Sequence, residues 1–531
     1  MVDVFLSYRR ESGVECCSSL KQSLERNDYG VFFDYHSMRQ GDFKQQIDKA
    51  ITECSFLLVV LAPHDLDRCF ESPETDWIIH EVTIAENYGK IVIPVSFKPG
   101  FEFPEQCETI PALHYLSKQQ LCDISGPDFA ILIEEKLYDY MKDSPAKKLR
   151  KEYQSGIRTE KYLNWEAQTL RSIYSDMEFV EEFGKVFPTV VFEGSKKIVY
   201  PFDSLNDPSN LMPIAEEIDF QNTEYYSEFK KIVGPNIHFP NLYGFTNVGL
   251  LFDEFGMVSG FKAVPRTYKE TVFSGHILHY ELWKAYKKSR GERPVALEDL
   301  PLRKAIHEGK TAYEVITSGC GRSSLCDVCL AVIAYDQEED DFDMAVATRS
   351  SNVACYPGYL SIVPSGGFEL YELEEMQTPS VVKDNFSMVA AVYREYIEEI
   401  FGDTAFDHPT GNDDRRRLYR NSHIKELRKK INDLFFFEFL GVSFDVISLR
   451  PTFSFILKID DPNFLYDNEI LANDENVHIK FVSLCDFEKE VKEKYDSNPI
   501  MCESAGVYAL LKKNHLYVDA MEKRTSKQNE S

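Results

Sequence analysis

No apolar run in this chain of 531 residues reaches the roughly 20 residues needed to cross a bilayer. Charged and polar side chains arrive early, at Ser7-Tyr8-Arg9-Arg10-Glu11, so the N-terminus does not read as a secretory signal. There is no excess of positive charge. A formal net charge of −28 argues against direct nucleic-acid binding, which needs cations to neutralise phosphates, although a few local arginines suffice for a nucleotide. Internal repeats are absent, and the 12 cysteines follow no disulfide or zinc spacing. Their one cluster, Cys320, Cys326 and Cys329, has no second CxxC and no nearby histidine to complete a tetrahedral site. Cys326 and Cys329 open an apolar run and are expected in a core. These absences together predict a cytoplasmic chain with reduced thiols and no membrane partner.

Aromatic residues, by contrast, are plentiful, with 29 Tyr and 38 Phe, which excludes disorder over most of the length. The length favours about three or four domains. Residues 1–141 alternate strand and helix signals. Val4-Phe5-Leu6 and Val31-Phe32-Phe33 are short apolar runs, Phe56 to Leu61 is apolar throughout, and Ile91 to Val95 repeats the pattern. Between them, Cys17, Leu20 and Leu24 recur at helical spacing, as do Phe43, Ile47, Ala50 and Ile51, and a third helix is predicted over 75–87. Strands alternating with helices imply a parallel sheet covered on both faces, with ligands outside the carboxyl ends of the strands. Residues 142–161 read as a linker and 162–315 as an α+β region without a motif. Residues 316–490 begin with strands at 325–335 and 344–348, separated by an acidic turn. They continue with a helix from about Ser387 to Phe401 and later strands at 435–440 and 453–459. Residues 491–531 are expected to be a C-terminal helix and a polar tail.

Two sets of residues carry chemistry. In the first, Ser7, Tyr8, Arg9 and Arg10 sit at a strand tip, and Trp77 and Glu81 share one side of a helix at i, i+4. That combination predicts a nucleotide pocket with one carboxylate aimed into it. The order Asp3-Val4-Phe5-Leu6-Ser7-Tyr8, Val31-Phe32-Phe33-Asp34, Met38-Arg39-Gln40-Gly41-Asp42-Phe43, Leu66-Asp67-Arg68-Cys69 and Asp76-Trp77-Ile78-Ile79-His80-Glu81 resembles a Toll/interleukin-1 receptor (TIR) domain over roughly 1–141. The resemblance implies a flavodoxin-like sheet. Many members of that family cleave the nicotinamide–ribose bond of NAD through a glutamate on the third helix, the place that Glu81 occupies. Breaking that bond builds positive charge on the ribose, which a neighbouring carboxylate stabilises; nicotinamide leaves as a neutral molecule. Tyr8, Phe33 and Trp77 offer stacking surface, Arg9 and Arg10 offer phosphate donors, and Ser7 and Asp34 flank the same strand tips. His80 receives no role. Other members of the family are non-catalytic scaffolds that assemble through the loop after the second strand, here 35–43.

The second set is Arg394-Glu395-Tyr396-Ile397-Glu398-Glu399-Ile400-Phe401-Gly402. With Ala347-Thr348-Arg349-Ser350, Tyr356-Pro357-Gly358 and Pro364-Ser365-Gly366-Gly367 before it, it resembles a Nudix domain of α/β/α architecture. On an α-helix Glu395, Glu398 and Glu399 share a face, and the resemblance implies Mg²⁺ or Mn²⁺ on these carboxylates, with Arg394 as their orienting partner. The pattern departs from the family in a long insert between Gly367 and Arg394, in the lack of the upstream box glutamate unless Glu369 replaces it, and in Phe401, which shifts the glycine by one position. Binding of a small nucleotide without turnover therefore stands beside hydrolysis. The combined expectation is an NAD glycohydrolase whose TIR domain self-assembles, in a bacterial immune role, under a C-terminal nucleotide sensor. The alternatives are a scaffold, or a coupled enzyme whose Nudix domain cleaves ADP-ribose.

Overall fold

The run Phe56–Leu61 has no polar face, which suits a strand covered on both sides. The structure is a computed structural model that describes residues 4–26, 29–33, 43–98, 101–124, 145–213, 218, 225–233, 243–349, 356, 358–370, 379–403, 414–468, 476–495 and 499–528. It divides into Met1–Tyr153 with Ser227–His238, and Gln154–Tyr226 with Phe239–Ser531.

In the first unit the elements are β1 (Val4–Tyr8), α1 (Arg10–Arg26), β2 (Val31–Phe32), α2 (Phe43–Glu53), β3 (Phe56–Leu61), α3 (Asp67–Glu71), α4 (Trp77–Asn87), β4 (Ile91–Ser96), α5 (Pro111–Ser117) and β5 (Cys122–Asp123). The strands pair in the order β2-β1-β3-β4-β5, and every pairing is parallel. This is the flavodoxin-like order. Alternation along β3 explains the absence of a polar face. Phe56, Leu58 and Val60 pack with Leu20 and Leu24 of α1, whereas Leu57, Val59 and Leu61 pack with Ile47 of α2, Val82 of α4 and Leu113 of α5. Each face of the sheet thus has its own helical layer, and the strand tips are left to build a site.

The second unit is organised around a mixed eight-stranded sheet. After a hairpin of β6 (Glu181–Glu182) and β7 (Lys185–Val186) comes β8 (Thr189–Glu193), then β9 (Tyr243–Phe252), β10 (Val258–Thr267), β11 (Asp327–Asp336), β12 (Asp341–Arg349), β13 (Leu360–Ile362), β14 (Ser365–Gly367), β15 (Glu369–Leu370), β16 (Phe435–Asp445), β17 (Arg450–Ile459) and β18 (Asn476–Ser483). The main path runs β13-β12-β11-β17-β16-β8, with β14 on β11 and β18 on β12. β8 lies in the region expected to stand apart, yet it pairs antiparallel with β16; β15 likewise pairs with β9. The stretches 162–315 and 316–490 therefore share sheets, because their edge strands satisfy one another's backbone groups.

The stretch expected as a linker, 142–161, contains the helix Pro145–Gly156 and the start of the helix Glu160–Ile173. Proline is tolerated at a helix start, where its missing N–H has no intrahelical partner to lose, so Pro145 opens a helix here. Arg150 in that helix donates through Nε to the Ile232 carbonyl at 2.8 Å. Near the C-terminus, the helix Cys502–Leu511 approaches β16 and β8 so closely that a Cβ on Gly506 would lie 2.6 Å from Ser443 and 2.7 Å from Thr189. Helix His515–Gln528 takes in much of the expected polar tail; residues 529–531 lie outside the described residues. No helix among the described residues is long and apolar enough to cross a membrane. Cys326 and Cys329 are buried, as their apolar setting predicted.

Candidate active site

A helix needs partners for its first N–H groups, and Asp76 supplies them for α4. Its Oδ1 accepts from the N–H groups of Ile78 at 3.0 Å and Ile79 at 3.3 Å, the arrangement of a helix N-cap. The same carboxylate is held from the other side by Arg9, whose Nη2 donates to Asp76 Oδ2 at 2.6 Å. Arg9 also donates through Nε to the Asp65 carbonyl at 2.9 Å and through Nη2 to Cys69 Sγ at 3.1 Å. The tip of β1 is thereby tied to the start of α3 and to the cap of α4. Trp77 at the start of α4 and Glu81 one turn on face a cavity of about 360 Å³, whose wall includes Tyr8, Arg9, Arg10 and Arg68. That volume falls in the range of small-molecule sites. Glu81 is 8 % exposed and Trp77 is 39 % exposed, so the carboxylate lies deep and the indole near the mouth.

The residues singled out from the sequence divide into four groups. Tyr8, Arg10, Trp77 and Glu81 meet at the cavity. Ser7 and Phe33 do not form its wall. Ser7 is buried within β1, and its hydroxyl makes no hydrogen bond among the described residues; Phe33 stacks on Tyr8 with ring centroids 5.3 Å apart, so it supports the wall from behind. Arg9 reaches the wall, but the expected phosphate role does not match its geometry, since its guanidinium is committed to Asp76, Asp65 and Cys69. Asp34 and the loop before Phe43 lie outside the described residues.

Two contributions escaped the sequence reading. His80 donates through Nε2 to Asp48 Oδ1 of α2 at 2.8 Å and meets Trp77 edge-on at 5.5 Å, so it braces the indole against α2. Arg68 adds a third guanidinium to the wall. The run Leu66-Asp67-Arg68-Cys69 carried that signal, but only the fold shows which of its side chains reaches the cavity.

The second carboxylate set has a different setting. Helix Met388–Glu395 passes into a π-helical turn at Tyr396–Ile400. Glu395, Glu398 and Glu399 straddle that passage from α-helix to π turn. Glu399 Oε2 accepts the Ser365 N–H at 2.7 Å, and the Glu395 carboxyl packs where a Cβ on Gly366 would stand, 2.3 Å away. Glu395, Glu398, Glu399 and Arg394 are all buried. Among the described residues no three His, Cys, Asp or Glu side chains are placed to hold a metal ion. The expected Mg²⁺ or Mn²⁺ cluster is therefore not formed by the described side chains, one of which, Glu399, is engaged by the backbone of β14.

Comparison with known proteins bears on the first site. Residues 4–131 match the family model of the TIR domain. The chain is 35% identical over 111 residues to NAD(+) hydrolase tir-1 of Caenorhabditis elegans, covering 21% of this chain and 11% of that one. It is 32% identical over 105 residues to NAD(+) hydrolase sarm1 of Drosophila melanogaster, covering 20% and 8%. It thus spans about a tenth of the length of the curated relatives it matches. Among solved structures, the TIR domain of the Toll-related receptor TRR-2 from Hydra magnipapillata aligns with 27% of this chain and 100% of its own, at 20% identity and a TM-score of 0.21.

Proposed function

We propose that this chain, whose residues 4–131 form a TIR domain, cleaves the nicotinamide–ribose bond of NAD at the cavity beneath Trp77. The observation that carries this reading is a deep carboxylate, Glu81, opening onto about 360 Å³ of space between an indole and cationic side chains. In the reaction the C1′–N bond breaks, its electron pair returns to the pyridinium nitrogen, and nicotinamide departs neutral. Positive charge develops on the ribose, where the fixed Glu81 carboxylate stabilises it. Trp77, braced by His80, stacks on a planar ring. Arg9 acts as a positioning residue by fixing the cap from which α4 carries Glu81. Water then completes hydrolysis at C1′.

The matched relatives named as NAD(+) hydrolases support this reading. We further propose that self-assembly of the TIR domain switches activity on in an immune response, and that the second unit is a Nudix-like nucleotide sensor. The binding role is favoured over metal-dependent cleavage of ADP-ribose because Glu399 is engaged by the Ser365 N–H and no metal-holding cluster forms among the described residues.

Chromatography of NAD incubated with purified protein at several concentrations tests the proposal. Nicotinamide release that rises more than linearly with concentration is expected. Intact NAD at every concentration, in protein shown to self-associate, would favour the scaffold instead.

A further inference from the structure

Three guanidinium groups line the cavity, and they are not equivalent. Arg9 is tied to Asp76, Asp65 and Cys69, and Arg10 has an interaction of its own. Arg68 is exposed on α3, and its guanidinium makes no hydrogen bond or ion pair among the described residues. The short helix that carries it is nonetheless held firmly. The neighbouring Cys69 thiol donates to Asp76 Oδ1 at 3.3 Å. Just before the helix, Asp65 accepts the Ala62 N–H at 2.7 Å and the Ser12 hydroxyl at 2.7 Å. A cation with donors to offer thus stands on a fixed element, anchored to the same carboxylate that caps the Glu81 helix.

From this juxtaposition we propose that Arg68 binds the diphosphate of the dinucleotide substrate and makes the site prefer phosphorylated nicotinamide compounds. The inference rests on the reading of the Glu81 cavity as the NAD site. A guanidinium presents a planar fork of donors that matches phosphate oxygens. The need is specific to this chain: a net charge of −28 repels an anionic ligand at long range, and local cations at the cavity offset that repulsion. Arg68 acts on affinity, because the diphosphate lies away from the bond that breaks and its charge does not change in the transition state.

The test compares NAD with nicotinamide riboside, which has the same scissile bond and no phosphate, in the full chain and in Arg68→Ala and Arg68→Lys. Arg68→Ala is expected to raise KM for NAD roughly tenfold, the order of one charge-assisted contact at a partly exposed site. It should leave kcat for NAD and riboside cleavage unchanged. Arg68→Lys should recover part of the loss, and salt should shrink the wild-type advantage. An equal loss on both substrates, or no loss on NAD, would overturn the proposal. If the wild type cleaves neither substrate, the NAD reading itself fails. Calorimetry with ADP-ribose then decides the role of Arg68: binding weakened in Arg68→Ala sustains it, and equal binding overturns it.

Discussion

Glu81 in the first unit and Glu395, Glu398 and Glu399 in the second are equally buried, at 8 % against 7, 8 and 2 % exposed. All four sit on helices in segments that resemble catalytic motifs. What separates Glu81 from Glu395 and Glu399 is the space in front of the carboxylate. Glu81 opens onto a cavity large enough for part of a nucleotide. Glu399 instead faces the Ser365 N–H, and Glu395 the position of an absent Cβ on Gly366. A buried carboxylate with room before it can act on a substrate; one turned to a strand's backbone supports the fold. The motif alone does not make that distinction.

Glu81 is where substitution should have the largest effect. Glu81→Asp keeps the charge but retracts it from the ribose, and a misplacement on the order of 1 Å costs roughly a hundredfold. Nicotinamide release should fall by about that factor while the melting temperature stays within a degree or so of wild type; unchanged release would place the chemistry elsewhere. Arg9→Ala probes the support beneath it. Loss of the guanidinium leaves the Asp76 carboxylate buried without its cation, at a cost of about 3 kcal/mol. Denaturant unfolding of the first unit should shift accordingly, and activity should fall with it even where the protein remains folded.

In the second unit the expected effects are on stability. Glu399→Ala strands the Ser365 N–H and should cost about 2 kcal/mol, with no change in NAD cleavage at matched folded protein; a loss of metal-dependent activity instead would restore the metal reading. A pH-dependent effect concerns Glu503, on the helix Cys502–Leu511. Burial first, then the nearby Asp445, push its carboxyl from 4.5 up to about 8. Asp327 moves the same way, to about 6, chiefly through burial. The folded protein therefore holds protons that the unfolded chain has released. The stabilisation from Glu503 is full below pH 4.5 and is lost as pH rises through about 8, and that from Asp327 is full below 3.8 and lost through about 6. Thermal unfolding should be earlier at pH 8 than at pH 5, and Glu503→Gln, which mimics the protonated acid, should flatten that dependence.

Much of the first unit was legible because its signals are local. The unbroken run Phe56–Leu61 marks a strand buried on both faces, Cys17, Leu20 and Leu24 mark one helix face, and the Trp77–Glu81 spacing places both side chains at one cavity. The partners of Arg9 were not legible. They lie 56 to 67 residues along the chain, and an arginine at a strand tip reads equally as a ligand donor until Asp76 is seen beside it. The second unit hid more. The pairing of β8 with β16 joins segments some 250 residues apart, and no local pattern announces it. The engagement of Glu399 by the Ser365 N–H, 34 residues away, is equally invisible in the local run that α-helical spacing reads as one carboxylate face.

The most direct test sets wild type, Glu81→Gln and Glu399→Ala side by side in one assay of nicotinamide release per mole of folded protein. The account predicts release by wild type and Glu399→Ala and none by Glu81→Gln, whose side chain fills the same space without the charge. Release by Glu81→Gln at the wild-type rate would contradict it.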